Sequence, residues 1–310
     1  MKNHLSIKRA ALYLIILFGL LLTGWLLALL LPEPHKQTVY LVLWGSFSIL
    51  PVLATFLTRT ITKDRSSWYL KPNFKKSWKT YLFAAFAPGV AIFLGGLLYF
   101  TLFPQDLDLT ARNLVARYGQ YGAPEHLLFT TGDIFLIGLA FIVISPLVFP
   151  VHIFALGEEI GWRGYLLPIL LKLTGQRKAV LIHGLLWGLA HAPLIYFGFN
   201  YGLDYWGTPF TGILMMVLVC MVLGTWLADL TIRSASILPA CIFHGAGNVI
   251  GELAALVSFL GISPLLVPNP TGLIGLSGLL LGALVLLWKM PRPAKTDLFQ
   301  HEIPDNEELL

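Results

Sequence analysis

"DIFLIGLAFIVISPLVFPVHIFALGEEIGWRGYLLPILL", residues 133–171, decides between a soluble and a membrane fold. Apolar residues fill both flanks, yet Glu158, Glu159 and Arg163 stand together between them. At about 1.5 Å per helical residue the stretch is too long for one straight crossing of a hydrocarbon core of about 30 Å. Pro146 and Pro150 predict a kink, and Gly157, Gly161 and Gly164 predict close helix packing.

The rest of the chain belongs to the same class. Its 310 residues are 56% hydrophobic and 12% charged, about half the charged fraction of a typical soluble domain. Apolar runs recur at 9–31, 38–58, 80–103, 134–156, 179–197, 211–231, 236–258 and 272–289. They predict an all-α, polytopic transmembrane helical bundle of about eight spans. Residues 1–290 read as one integral membrane domain, and residues 291–310 as a charged cytoplasmic tail. The first run, apolar from Ala10 to Leu31, exceeds the roughly 7–15 apolar residues of a signal peptide, so it is read as a retained span.

The net charge of +5 follows topology and does not point to nucleic acid. With the N-terminus inside, 17 of 21 Lys and Arg fall on predicted cytoplasmic segments, seven of them between Arg59 and Lys79. That bias puts both termini in the cytoplasm. Loop 59–79, with Trp68, Tyr69 and Trp78, is expected against anionic lipid headgroups. Cys220 and Cys241 lie within apolar runs and read as small core residues.

Ionisable groups at membrane depth are costly, so their clustering marks a site. Three motifs carry it. Glu159 and Arg163, four apart on a helix, can pair on one face. Glu158, rotated by roughly 100°, is left for acid–base chemistry. In "HGLLWGLAHAP", residues 183–193, Trp187 and His191 share a face, with His183 two turns earlier. In "FHGAGNVIGE", residues 243–252, His244 and Asn248 present two potential donors to an oxyanion. Each has a plainer reading as an interfacial ion pair or as interhelical hydrogen bonding. Asp229 and Glu252, near span ends, read as solvated or structural.

Taken in order, EExxxR, aromatic-xxxH and HxxxN resemble the CPBP family of CAAX-processing and bacteriocin-processing intramembrane proteases, which includes type II CAAX prenyl endopeptidases. The resemblance covers about 135–260, with "GEEIGWRGYLLP" its most specific wording. It implies catalytic roles for Glu158 and His191 in activating water and for His244 and Asn248 in stabilising an oxyanion, with Glu159 and Arg163 in support. Trp187 stands where phenylalanine is usual and is expected to keep an aromatic wall. Other signatures fit less well. HExxH is missing, and "GLSG" at 275–278 puts Ser277 in the last run with only His301 after it.

The expected function is therefore an intramembrane endopeptidase acting on a membrane-associated peptide, with a prenylated C-terminus as one substrate class. Membrane lipids and a peptide or lipidated peptide are the expected partners, and a bacterial plasma membrane the expected location. No metal is taken as obligatory. Zinc or another divalent metal would have Glu158, His191 and His244 as ligands, with water in the open position. A small-solute transporter, or a non-catalytic chaperone or immunity protein of the same fold, is the alternative.

Overall fold

A computed structural model describes residues 2–32, 34–119, 127–259 and 262–290. The expected charged tail, 291–310, lies outside them. The described residues are helical, with no strand beyond an isolated bridge between Leu107 and Ser258. The all-α membrane bundle stands.

Helix α1 (Lys2–Leu30) leads into α2 (His35–Ser46) and α3 (Ile49–Ile61), then α4 (Phe74–Leu102) and the short α5 (Arg112–Tyr118). Next come α6 (Thr131–Ile144), α7 (Phe149–Gly161), a π-helical turn (Trp162–Leu166) and α8 (Leu167–Thr174). The second half contains α9 (Gln176–Ala190), α10 (Ala192–Tyr196), α11 (Phe210–Ser234), α12 (Leu238–Leu256) and α13 (Ser277–Lys289).

Among the described residues, four helices are long and apolar enough to cross a membrane: Asn3–Leu30, Phe74–Leu102, Gln176–Tyr196 and Phe210–Ser234. Two bent pairs raise the number to six. The run at 38–58 breaks between α2 and α3 with a 66° bend, and residues 131–174 bend by 61° at Val148. There Pro146 and Pro150 cannot supply the backbone N–H groups that would carry one helix through. The run at 272–289 yields only the 13-residue α13, about 20 Å long at 1.5 Å per residue. Apolar run length therefore overstates helix length at this end.

Helix α12 lies at the centre, packed against α4, α7 and α11. Pro239 sits in its first turn, where an absent N–H costs nothing. Both ends are tied down. At one, the Ile237 N–H donates to the Tyr69 carbonyl and the Asn73 amide donates to the carbonyls of Ser234 and Ala235. At the other, the Asp106 carboxylate accepts from the hydroxyls of Tyr99 and Ser258, and Asn113 Nδ2 donates to the Ser258 carbonyl at 2.6 Å. Helix α6 starts on a reciprocal cap. Thr130 Oγ1 accepts from the Asp133 N–H at 3.1 Å, and the Asp133 carboxylate accepts from the Thr130 N–H at 2.8 Å.

Candidate active site

Glu158 and Glu159 occupy the last turn of α7, immediately before the π turn. Such single π turns recur at functional sites because the widened ladder re-aims side chains. Two glycines seat this segment on the start of α3. A Cβ on Gly157 would lie 2.4 Å from the Ser48 carbonyl oxygen, and one on Gly161 2.4 Å from Pro51 Cβ. The acid pair is thereby turned into the bundle.

The expected ion pair forms. Arg163 Nη1 donates to Glu159 Oε1 at 3.0 Å, and both side chains are wholly buried. His244 Nδ1, from α12, lies 2.9 Å from the same oxygen. An ionised carboxylate only accepts, so Nδ1 carries the proton in this bond. Glu159 therefore joins Arg163 to His244 across three segments of the chain.

Glu158 points elsewhere and is only partly buried. Its Oε2 accepts a hydrogen bond of 2.9 Å from the indole Nε1 of Trp187. Close packing of α9 on α11 puts the indole there. A Cβ on Gly184 would lie 2.6 Å from Met221 Cα, and one on Gly188 2.5 Å from Val217 Cα, so this GxxxG spacing brings the two backbones together. One turn on, His191 Nδ1 donates to the Trp187 carbonyl at 2.9 Å. A carbonyl only accepts, which leaves the His191 Nε2 lone pair free in the neutral ring. The His191 ring also packs at 4.4 Å against Phe47.

These contacts bring Glu158, Glu159, Arg163, Trp187, His191 and His244 into one constellation. The ring of His244 meets Trp187 edge-on at 5.5 Å, and the Arg163 guanidinium lies 4.0 Å from the Trp187 ring centroid. Asn248 follows His244 by one turn on α12 and is exposed.

The structure adds two particulars to these expectations. Trp187 is more than an aromatic wall, because its N–H binds a candidate catalytic carboxylate. Of the two potential donors on α12, His244 is already engaged through one ring nitrogen. Nδ1 of His244 is committed to Glu159, so only Nε2 can face a substrate.

His183 stays out of the constellation. It is fully buried against Trp162, with neither ring nitrogen hydrogen-bonded among the described residues. Asp229 pairs with Arg233 at 2.7 Å, and both cysteines are free and buried. Sequence reasoning missed Phe47 and the wholly buried Tyr13, which packs on Trp162 and Tyr165. Lone aromatic residues in apolar runs give no periodic signal. His152 was also passed over. Its Nε2 lies 3.0 Å from the Pro146 carbonyl, and its ring fills the notch beside Gly245.

Among the described residues no three His, Cys, Asp or Glu side chains converge as a cation cage. Glu158 Oε2, His191 Nδ1 and His244 Nδ1 each have a protein partner, so a metal held by these residues would use Glu158 Oε1 and the two Nε2 atoms.

Residues 126–250 match the sequence family described as Type II CAAX prenyl endopeptidase Rce1-like. CAAX prenyl protease 2 of Methanococcus maripaludis is 30% identical over 112 residues, which cover 36% of this chain and 41% of that protein. The aligned part thus spans about two fifths of the relative's length. All the site residues named above from Glu158 to Asn248 lie inside the family match.

Proposed function

We propose, on the premise that this chain belongs with the CPBP family through residues 126–250, that it is an intramembrane endopeptidase. One observation carries the reading. Glu158 and His191 are both held through Trp187, while Glu159 binds His244, all within a helical membrane bundle.

In the proposed reaction, water lies between Glu158 and the free Nε2 of His191. Glu158 takes one proton from it, and the oxygen attacks the scissile carbonyl carbon. The resulting oxyanion accepts hydrogen bonds from His244 Nε2 and the Asn248 amide. To donate through Nε2, His244 must carry both ring protons, and the Glu159 carboxylate on Nδ1 balances that charge. Collapse of the tetrahedral intermediate breaks the C–N bond. Glu158 returns its proton to the leaving amine, giving a new carboxyl terminus and a free amine. No covalent enzyme intermediate forms. Preorganised donors of this kind are worth several kcal/mol in acyl-transfer transition states.

The substrate class proposed is a membrane-associated peptide with a lipidated C-terminus. Such a peptide can remain in the lipid phase while its scissile bond reaches a site at membrane depth. Membrane lipids complete the partner set. The Lys/Arg bias supports cytoplasmic termini, and the short loops and compact chain favour a bacterial plasma membrane as the location. The test is purified protein in proteoliposomes, given farnesylated and unprenylated forms of one C-terminal peptide, with products read by mass spectrometry. Cleavage of the farnesylated peptide, lost in Glu158→Gln, supports the reading. Solute flux without peptide cleavage would replace it with a transporter.

A further inference from the structure

The peptidase reading says that Glu158 and His191 handle the water. It leaves open what aims them. Both trace to Trp187. Its indole Nε1–H donates to Glu158 Oε2 at 2.9 Å, and its main-chain carbonyl accepts from His191 Nδ1 at 2.9 Å. The side chain and the backbone of one residue thus hold both halves of the pair.

The donor chemistry makes the arrangement directional. An indole N–H donates and never accepts, so Oε2 is its acceptor while this bond lasts and a proton is favoured on the other oxygen. The carboxylate is then fixed in rotation, and Oε1 is the oxygen left to receive a proton. The carbonyl bond likewise fixes the neutral imidazole with its proton on Nδ1 and its lone pair on Nε2. The indole is itself clamped, with the Arg163 guanidinium 4.0 Å from its ring centroid and the His244 ring edge-on at 5.5 Å. Arg163 in turn is held by Glu159. Phenylalanine at 187 would keep the aromatic face and the main-chain carbonyl but could not hold Glu158.

We propose that Trp187 is a positioning residue for the hydrolytic reaction, its indole N–H pinning Glu158 Oε2 so that Oε1 takes the proton from water. This inference rests on the peptidase reading. Its tests are Trp187→Phe and replacement of Trp187 by 3-benzothienylalanine, which substitutes sulfur for the N–H in a ring of nearly the same shape. Because a hydrogen bond to a charged group is lost, kcat is expected to fall about tenfold to a hundredfold with KM within about twofold of wild type. The benzothienyl protein keeps the packing, so a matching loss there assigns the effect to the N–H. Wild-type kcat in that protein overturns the proposal.

A second readout needs no turnover. The indole 15N–H resonance that disappears in Trp187→Phe is expected to move in Glu158→Gln, and an unmoved resonance also overturns the proposal. If wild-type protein cleaves nothing, the peptidase reading fails and catalytic positioning fails with it. The resonance then still reports whether the hydrogen bond itself exists.

Discussion

Glu159 is the residue whose loss should most damage the fold. It is wholly buried and accepts from Arg163 Nη1 at 3.0 Å and from His244 Nδ1 at 2.9 Å. Arg163 Nε and Nη2 have no hydrogen-bond partner among the described residues. Glu159→Leu therefore strips the guanidinium of the one anion hydrogen-bonded to it among the described residues, leaving it against the Trp187 ring. Removing one partner of a buried ion pair costs about 3–5 kcal/mol, and this site belongs at the upper end. Arg163→Met should cost less, because His244 still binds the remaining carboxylate. The double variant Glu159→Leu/Arg163→Met removes both charges and should recover most of the loss, since apolar replacement of a buried pair is often neutral. Equilibrium unfolding in mixed detergent micelles would measure all three. A cost below about 1 kcal/mol for Glu159→Leu, or a double variant with the summed loss of both singles, would refute the reasoning.

Further outcomes follow from other parts of the fold. Gly188→Leu places a side chain where even a Cβ would be 2.5 Å from Val217 Cα, so it should separate α9 from α11 and cost about 1–3 kcal/mol or more in the same unfolding assay. Asp108 is buried in the loop before α5. Burial raises its pKa, but bonds from the Thr110 hydroxyl and the Arg112 and Thr110 N–H groups outweigh it and hold the carboxyl below its ordinary value. The stability it contributes is thus present above the unfolded-state aspartate pKa and lost as pH falls through the lower folded value. Hydrogen exchange at residues 110–115 should accelerate over that acidic window in wild type and already be fast at neutral pH in Asp108→Ala. Dialysis against a chelator should leave cleavage within about twofold, on the reading that the water is activated by side chains alone. Loss of activity restored by zinc would contradict it.

Much of the site was legible because the 3.6-residue period converts spacing into faces. The separation of Glu158 from Glu159, the Glu159–Arg163 pair and the packing of Trp187 beside His191 all follow from it. The period could not show which helix faces which. The 2.9 Å bond from Trp187 to Glu158 joins residues 29 apart, and that from His244 to Glu159 joins residues 85 apart. Close glycine contacts create such meetings, and nothing local encodes their partners. Helix length is legible on a different basis. Apolar composition marks residues that avoid water, whereas the bends at 47–48 and 148 and the turns before α13 depend on tertiary packing and proline. Phe47 illustrates the loss. It appears in sequence as one more apolar residue and in the fold as the ring against His191.

The most direct measurement compares the membrane peptidomes of cells producing wild-type protein and Glu158→Gln at equal folded abundance. The account predicts at least one new peptide terminus that only the wild type generates, with the cut bond near the membrane surface or within a lipid-anchored C-terminal segment. Identical termini from the two proteins, with wild-type and variant membranes also cleaving farnesylated peptide equally, would contradict a peptidase that depends on Glu158.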